Sequence, residues 1–404
     1  MKLSEELAWR GFVDQTTLKD LGVLDGDPIV FYHGFDASAD SQTIGNLAAM
    51  MLDLLFLRHG HKGIVLAGGA TSLIGDAGGK DKERALQPEE EISKNVANAE
   101  SQIKSIFGDH DFALVNNLDW FKDMTAIEFL RDIGKHFSVG QLIQRDFIKT
   151  RLGQDGTGIS YAEFSYTIMQ GYDFLYLYDK YGTTLQLAGA DQWGNALSGV
   201  ELVRKTRDAT VNVLTLPLVI NKTTGVKFGK SEEGAVWLDS NKTSVYKFYQ
   251  FWLNTDDAGV IDYLKIYTTL PKEEIDRLEQ EVSQNPSARI AQRTLAREVT
   301  TIVHGADRTA SVERVTTVLF DEGDIAQLST EDIEILASEI PVTTTGKHLV
   351  EVMIATDLAS SNNEARRLLE SGAVSINGVK ALDDVLVNDI SIVKKGKNSF
   401  ALVR

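Results

Sequence analysis

The feature that most restricts the fold is the alternation of short apolar runs with amphipathic segments over residues 28–116. The runs PIVFYHGF (28–35), KGIVLAG (62–68) and DFALVN (111–116) have the length and composition of buried strands. The segments 43–58 and 89–107 between them carry apolar residues at helical spacing. Such alternation favours right-handed crossovers and a parallel sheet covered on both faces. The sequence therefore predicts an α/β domain.

The pattern continues to residue 216 and then changes. Helices are predicted over 161–178 and 192–205, and strands over 184–188 and 211–216. Residues 244–320 are helical almost throughout, and 321–346 are acidic and then Thr-rich, which suits a linker. Residues 347–404 predict a small α/β module with two short helices and strands near 374–377, 390–393 and 399–403. We therefore expect a domain over 1–235, a helical domain over 236–320, a linker over 321–346 and a module over 347–404.

Composition excludes several classes of protein. The chain has 43% hydrophobic residues, too many for a disordered acidic chain, and no run approaches a membrane span. The start, MKLSEELAWRG, does not resemble a signal peptide. Without any cysteine, disulfides, thiolate metal sites and a cysteine nucleophile are impossible. We expect a cytoplasmic protein without a membrane partner.

The charge is unevenly distributed. The net charge of −17 argues at first against a nucleic-acid partner, because nucleic acids bind basic surfaces. Residues 341–404, however, hold eight Lys/Arg and seven Asp/Glu, so residues 1–340 carry −18. The C-terminal module is thus a separate compositional unit.

Two segments have the chemistry of phosphate binding. In FYHGFDASADSQTIGNL (31–47), a strand leads into a helix N-terminus, where free N–H groups favour anions. For this segment alone, an ordinary strand–helix connection with Asp40 or Ser41 as the N-cap is the simpler interpretation. In VKFGKS (226–231), two lysines flank a glycine and suit a polyphosphate, whereas the simpler interpretation is a solvated turn.

Together, these segments resemble the two signatures of class I aminoacyl-tRNA synthetases, a HIGH-type motif and a KMSKS-type loop. LAGADQWGN (187–195), FSYTIMQGYDF (164–174), SLIGDAGGKDKER (72–84), FYQFWLNTDD (248–257) and NEARRLLESGAVSINGV (363–379) extend the likeness nearly end to end. The chain is identified as a member of the bacterial-type tyrosyl-tRNA synthetases. The resemblance implies a Rossmann-like catalytic domain, a tRNA-contacting helical domain and a small RNA-binding module.

The resemblance also implies a role for individual residues. The residues expected to bind tyrosine are Tyr32, Asp76, Asn117, Tyr166, Gln170, Asp173, Gln186 and Gln192, with Trp120 lining the same pocket. Those expected to bind ATP are Gly34, Asp36, Gly45, Gly189, Asp191, Lys227, Phe228, Gly229, Lys230 and Ser231. Ser38, Thr43, Asn46, Lys227 and Lys230 are expected to assist catalysis, and Lys80 and Arg84 to contact pyrophosphate or tRNA. Residue spacing alone allows a simpler origin for Tyr166, Gln170 and Asp173, since a helical stripe is often a core network.

The implied reaction has two steps and no covalent enzyme intermediate. The tyrosine carboxylate attacks the α-phosphate of ATP, and a ribose hydroxyl of tRNA then accepts the tyrosyl group. Catalysis is positioning plus charge stabilisation, with Mg²⁺ accompanying the nucleotide and no all-protein metal site.

The sequence departs from the family at the HIGH motif, which is Thr43-Ile44-Gly45-Asn46 here. Both histidines are absent, and His33 occupies a position where cysteine is common. We expect reduced activation or compensation by nearby groups. The alternative is a catalytically weakened paralogue that binds tyrosine or tRNA; a tryptophan ligase is disfavoured by Tyr32 and Asp173.

Two further surfaces are predicted. In the module, we expect Arg366, Arg367, Lys394, Lys395 and Lys397 to contact tRNA, although a solvated charged face is the simpler interpretation. The insertion over 124–160 matches the segment that makes the family a homodimer, with Ile127, Phe129, Leu130, Phe137 and Val139 as its apolar candidates. Sequence alone does not separate this patch from core.

Overall fold

The structure is a computed structural model that describes residues 1–75, 87–144, 146–152, 158–231, 234–320 and 323–404. The strands are β1 (Gln15–Thr16), β2 (Val30–Phe35), β3 (Lys62–Ala67), β4 (Phe112–Asn116), β5 (Thr183–Gly189), β6 (Asn212–Leu216), β7 (Lys230–Ser231), β8 (Gly234–Ala235), β9 (Val342–Thr343), β10 (Lys347–His348), β11 (Val374–Ile376), β12 (Val379–Lys380), β13 (Leu386–Val387), β14 (Ser391–Lys395) and β15 (Ser399–Val403). The α-helices are α1 (Leu3–Arg10), α2 (Ile44–Arg58), α3 (Gly69–Ile74), α4 (Glu89–Phe107), α5 (Leu118–Phe121), α6 (Ala126–Glu128), α7 (Val139–Ile143), α8 (Asp146–Leu152), α9 (Tyr161–Tyr181), α10 (Trp193–Arg207), α11 (Val245–Leu253), α12 (Val260–Tyr267), α13 (Lys272–Gln284), α14 (Ile290–His304), α15 (Ala306–Phe320), α16 (Thr330–Glu339), α17 (Leu349–Ala355) and α18 (Asn362–Glu370).

The chain divides into two compact units. Unit 1 comprises Met1–Thr243 and Asn254–Leu295, and unit 2 comprises Ser244–Leu253 and Ala296–Arg404. None of the helices in the described ranges is long and apolar enough to cross a membrane.

Unit 1 contains a six-stranded sheet in the order β1-β6-β5-β2-β3-β4. β1 is antiparallel to β6, and the other five strands are parallel, with Tyr32 opposite Ile64 in β3 and Gln186 in β5. The predicted α/β class with a parallel sheet is confirmed. β1 was not predicted because two residues carry no readable hydrophobic period.

Helix α2 begins where a capping box forms. Thr43 is the N-cap in extended conformation, and its backbone N–H donates to Asn46 Oδ1 at 3.0 Å. Asp40 and Ser41 are therefore not the N-cap; Asp40 forms an ion pair with Lys242 instead. The helix is apolar on nearly every face; Gly45 and Asn46 are exposed at its start, and most residues from Leu47 to Leu57 are buried.

The carboxyl ends of the parallel strands define one edge of the sheet in unit 1. α2 follows β2, and α9 and α10 pack against each other and against β5. α9 is bounded by a capping box between Ser160 and Glu163 and by Gly182 in left-handed conformation, which ends the helix. Ligands of open α/β sheets bind at this edge, so the fold places the site there.

Unit 2 combines helices with a five-stranded sheet in the order β12-β11-β14-β15-β9. One core cluster lies between α17, α18 and this sheet, and another joins α15 and α16 to Ile392, Phe400 and Leu402. The three strands predicted in the module occur at β11, β14 and β15. The range 321–346 contains α16 and β9 where we expected a linker, because α16 has an apolar face that packs against the sheet. The domain boundaries remain a prediction.

Candidate active site

A cavity of about 650 Å³ lies in unit 1 where β2, β5 and α2 meet. The predicted site residues that line it are Tyr32, Gly34, Asp36, Ser38, Thr43, Gly45, Asn46, Asn117, Tyr166, Gln170, Asp173, Gln186, Gly189, Asp191, Gln192, Lys227, Phe228 and Gly229. Residues separated by almost 200 positions in sequence are thus brought together. The roles assigned to them remain predictions.

The side chains of five other predicted site residues cannot be placed relative to the cavity. Asp76, Lys80 and Arg84 fall outside the described residues, and only the backbone of Lys230 and Ser231 is described, at β7.

Asp173 is the centre of a buried network on α9. Its Oδ1 accepts a hydrogen bond from Trp120 Nε1 at 2.9 Å, and its Oδ2 accepts one from Asn117 Nδ2 at 3.2 Å. Asn117 is held in turn, because its Oδ1 accepts from the backbone N–H of Ala70 at 2.8 Å. Burial raises the pKa of Asp173 to about 8, although the two hydrogen bonds oppose this rise. Two carboxylate contacts are thus fixed before any ligand arrives.

Three side chains that line the cavity have buried polar atoms without a protein partner among the described residues. They are the Tyr32 hydroxyl, Gln170 Oε1 and Gln186 Oε1. Burial, together with the nearby Asp173, raises the pKa of Tyr32 well above its ordinary value, so its hydroxyl stays protonated. Buried polar atoms are nearly always paired in native proteins. A polar ligand in this part of the cavity would satisfy them.

A second network joins α9 to the end of β2. The Tyr166 hydroxyl donates to Asp36 Oδ2 at 3.1 Å, and Thr71 Oγ1 donates to Asp36 Oδ1 at 3.2 Å. On α10, Asn195 Nδ2 donates to Gln192 Oε1 at 3.1 Å. Thr71 was missed in the sequence because a threonine after a strand has no distinctive signal.

The start of α2 forms the other end of the cavity. Thr43 Oγ1 lies 2.8 Å from Asn46 Oδ1 and donates to it, so the two residues at the histidine positions of the HIGH motif bond each other. A Cβ on Gly45 would meet only Thr43 Oγ1, at 3.5 Å, which leaves its backbone open to the cavity. The N-terminus of the helix thus places a partial positive charge at this end of the cavity.

Residues 236–238, which follow the lysine-containing segment 226–231, are hydrogen-bonded to the start of α2. Ile44 N–H donates to the carbonyl of Val236 at 3.1 Å, Leu238 N–H to the carbonyl of Gln42 at 2.9 Å, and Thr43 and Trp237 form an antiparallel bridge. Gly229 has a φ of +99°, and a Cβ there would lie 2.8 Å from Ile44 Cγ1, so only glycine fits. Lys227 is exposed at the mouth of the cavity, which suits a mobile cation.

Gly189 and Asp191 follow β5. A Cβ on Gly189 would lie 2.6 Å from Asp191 Oδ1, so glycine is required for the carboxylate to fold back over the backbone. Asp191 is exposed on the cavity wall. Its carboxylate is placed to accept hydrogen bonds from a ligand hydroxyl.

The predicted RNA-contacting residues lie in unit 2. Arg366 and Arg367 are exposed on α18, and Lys397 is exposed in the turn between β14 and β15. Lys394 is less available, because its Nζ donates to the carbonyl of Leu319 at 3.2 Å and lies over the Phe400 ring. Lys395 is half-buried at the end of β14.

The apolar candidates of the insertion separate into two groups. Ile127, Leu130 and Val139 have exposed fractions of 70, 51 and 60%. Phe129 and Phe137 instead pack against the core of unit 1. The three exposed side chains therefore remain candidates for the predicted interaction surface, whereas the two phenylalanines pack against the core.

The sequence and the structure of the chain are similar to those of known proteins. Residues 24–321 match the model for tRNA synthetases class I (W and Y), and residues 332–403 match the model for the tyrosine–tRNA ligase SYY-like C-terminal domain. The chain is 44% identical to the tyrosine–tRNA ligase of Geobacillus kaustophilus and 43% identical to that of Bacillus caldotenax, over 100% of each chain. Its structure resembles a truncated mitochondrial tyrosyl-tRNA synthetase of Aspergillus nidulans, with a TM-score of 0.71, 30% identity, and coverage of 79% of this chain and 94% of the other. The resemblance predicted from the sequence motifs is confirmed.

Proposed function

Because the chain belongs to the class I tRNA synthetases for tryptophan and tyrosine and is a tyrosine–tRNA ligase, we propose a role for each part of its cavity. Tyrosine binds beside Asp173, and ATP binds between the start of α2 and Lys227. The observation that carries this assignment is the set of buried, unpaired polar atoms on Tyr32, Gln170 and Gln186 around the fixed carboxyl of Asp173.

Selection of tyrosine depends on its phenolic hydroxyl. Asp173 and Tyr32 flank the position that this hydroxyl takes. Phenylalanine would leave the buried Tyr32 hydroxyl without a partner and would deprive Asp173 of a third hydrogen bond, beyond those from Trp120 and Asn117. A buried group left unpaired costs more than a lost methyl contact, so the pocket rejects phenylalanine. An indole lacks a hydroxyl at the matching position, which disfavours tryptophan. Tyr166 and Gln170, with Asp76, hold the ammonium group, and Gln186 and Gln192 lie toward the carboxylate.

Activation joins the tyrosine carboxylate to the α-phosphate of ATP. The carboxylate oxygen attacks phosphorus, and the bond to the bridging oxygen of pyrophosphate breaks. The backbone at Gly34 and Gly45 and the acids Asp36 and Asp191 position the nucleoside. Lys227 and Lys230 neutralise the leaving pyrophosphate, assisted by Ser38, Thr43 and Asn46 at the helix start.

Mg²⁺ accompanies the nucleotide in this proposal. Within the described ranges, no three His, Cys, Asp or Glu side chains are grouped to hold a metal ion. Mg²⁺ in nucleotide sites is commonly held by phosphate oxygens and water, and this is the arrangement that we propose. When bound, it neutralises phosphate charge.

Transfer of the tyrosyl group requires tRNA. We propose that Lys80 and Arg84 contact the acceptor end. Arg366, Arg367, Lys395 and Lys397 bind the tRNA backbone, and Lys394 contributes less because it is hydrogen-bonded to the carbonyl of Leu319.

We also propose that a homodimer forms through the exposed side chains of Ile127, Leu130 and Val139, and that the protein acts in the cytoplasm. Light scattering of an Ile127→Glu variant tests the dimer; a monomeric wild type would exclude it.

The deciding assay is tyrosine-dependent ATP–pyrophosphate exchange followed by charging of tRNA. We expect exchange with tyrosine and none with phenylalanine or tryptophan, and a strong loss with Lys227→Ala. Lys222→Ala is the matched control, because Lys222 pairs with Asp262 at 2.9 Å and does not line the cavity.

The altered residues Thr43 and Asn46 favour one alternative, a weakened paralogue that binds tyrosine or tRNA. Absence of exchange at high enzyme concentration, with tyrosine binding retained, would support it.

A further inference from the structure

An imidazole is present in the cavity, although both histidines of the HIGH motif are absent. His33 lies on β2 and lines the same cavity as Thr43, Gly45 and Asn46. Side chains alternate along a strand, so Tyr32 and His33 point to opposite faces of the sheet. The Tyr32 ring packs against Phe174 of α9, with ring centroids 5.0 Å apart. His33 therefore faces α2, at the end of the cavity assigned to the nucleotide.

His33 is oriented by a buried acid. Its Nδ1 lies 2.7 Å from Asp53 Oδ2 on α2, and the side chains of His33 and Asp53 are 16% and 1% exposed. This contact leaves Nε2 as the available ring nitrogen, which has no hydrogen-bond partner among the residues that the structure describes. The ring is held in one orientation while its other nitrogen stays open to a ligand.

The position of Asp53 in the core is unfavourable for the stability of the fold. Asp53 is the one charged residue between Ile44 and Leu57 in a helix that is otherwise apolar along this stretch. Its Oδ1 is buried without a partner in the described part of the chain. Burying a carboxylate destabilises the fold unless the carboxylate is fully paired, and an apolar residue at this position would remove that cost. The energetic cost indicates that Asp53 serves the ring that it contacts.

The contact with Asp53 favours the protonated, cationic form of the His33 ring. Burial lowers the pKa of His33, but the attraction and the hydrogen bond of Asp53 outweigh it, so the pKa lies above its ordinary value. The sheet neighbours of His33, Val65 and Leu187, carry no charge. The charged groups elsewhere on the cavity wall are Asp36, Asp173, Asp191 and Lys227, as far as the structure describes it.

We propose that His33 contacts ATP as the imidazole that replaces those missing at positions 43 and 46, and that Asp53 is its positioning residue. The proposal rests on the proposed function, since it assigns ATP to this end of the cavity. Nε2–H donates to an oxygen of the nucleotide, and the positive charge of the ring offsets the negative charge of the phosphates. A single imidazole from the strand thus does what two from the helix would otherwise do.

The test is the pH dependence of kcat/KM for ATP in the exchange assay at saturating tyrosine. In the wild type, kcat/KM should fall as the pH rises through the pKa of His33. Asp53→Asn removes the negative charge, so this fall should move to lower pH by roughly one unit. His33→Gln should lower kcat/KM for ATP by roughly 10- to 100-fold at neutral pH and abolish the fall, with KM for tyrosine unchanged.

A matched control separates positioning from mere stability. Asp332 is another buried acid, bonded by Arg314 Nε at 2.8 Å in unit 2, so Asp332→Asn should lower stability without moving the pH profile. Asp173, with a pKa of about 8, is another titratable group of the cavity, and a shift of the fall in the Asp53→Asn variant assigns the fall to His33. Unchanged profiles and unchanged KM for ATP in the His33 and Asp53 variants would overturn the proposal.

A second measurement does not require activity. The chain has seven histidines, and the imidazole resonances of labelled protein identify His33 by comparison with His33→Gln. Binding of ATP should raise the pKa of His33, because the anionic nucleotide favours the imidazolium. A pKa that ATP leaves unchanged would refute the contact. If the wild type shows no exchange but ATP still raises this pKa, the proposed function fails and the nucleotide contact stands.

Discussion

Replacing Thr43 and Asn46 by histidine should make the enzyme faster and less stable. In the structure these two side chains are engaged with each other, through Thr43 Oγ1 to Asn46 Oδ1 at 2.8 Å and Thr43 N–H to the same oxygen at 3.0 Å. Histidine at both positions breaks the capping box of α2 and places two imidazoles at the phosphate end of the cavity. The substitution thus exchanges contacts within the helix for contacts with ATP.

Both effects have expected sizes. Loss of an N-cap costs about 0.5–2 kcal/mol in the free energy of unfolding, which corresponds to a fall of about 2–4 °C in melting temperature per kcal/mol for a domain of this class. A hydrogen bond to a charged phosphate contributes about 1.5–3 kcal/mol, so one restored contact should speed adenylate formation by roughly one to two powers of ten. The gain should be larger in a His33→Gln background, where no other imidazole is available.

The assay is pre-steady-state adenylate formation at saturating tyrosine and ATP, with thermal unfolding measured in parallel. Thr43→Ala is the control, because it removes the cap without adding an imidazole. It should be destabilised and no faster than the wild type. A double variant that forms adenylate more slowly than the wild type would refute the idea that Thr43 and Asn46 limit activation. An equal gain in both backgrounds would contradict a shared role with His33.

Three other outcomes are expected. Trp120→Phe removes the indole N–H that donates to Asp173 at 2.9 Å, so it should raise KM for tyrosine by roughly fivefold and leave KM for ATP unchanged. Trp9→Phe is the control, because Trp9 lies outside the cavity. An equal effect of Trp9→Phe would contradict the assignment. Because the pKa of Asp173 is about 8 in the folded protein and 3.8 ordinarily, the folded state keeps a proton that the unfolded state releases, so stability should fall as pH rises from 4 to 8. Calorimetry of Asp173→Asn should show this slope reduced, whereas Asp332→Asn, whose acid has a pKa of about 2, should change the slope only below about pH 4. Arg366→Ala/Arg367→Ala should raise KM for tRNA and reduce its salt dependence while exchange without tRNA is unchanged; an unaltered KM would exclude these arginines from the tRNA contact.

Much of unit 1 was predictable because its elements are long and periodic. The predicted helix over 89–107 matches α4 at both ends, and the predicted strands of the sheet match within two residues. The predicted helix over 43–58 matches α2 within one residue, but the N-cap of the simpler interpretation, Asp40 or Ser41, was wrong. Asp and Ser are favoured N-caps, but Asn46 three residues after Thr43 decides the position by closing the capping box.

Pairings between distant residues were harder to predict. Motif resemblance pointed to Asp173 and Trp120, but the hydrogen bond between them depends on the packing of α5 beside α9. The contact of His33 with Asp53 depends on the crossing of β2 and α2, although a lone acid in an apolar helix was a visible signal. Helix α16 within 321–346 was not predicted, because the acidic composition of this range gave no indication of the apolar face by which α16 packs; the domain boundaries stay a prediction.

The backbone bridge between residues 42–44 and 236–238 has an evolutionary consequence. It positions the start of α2 through main-chain atoms, Ile44 N–H to Val236 and Leu238 N–H to Gln42, whatever side chain occupies position 43. Mutations at positions 43 and 46 can therefore accumulate without displacing the helix. The chemistry of the motif can thus change while the main chain that presents it stays in place.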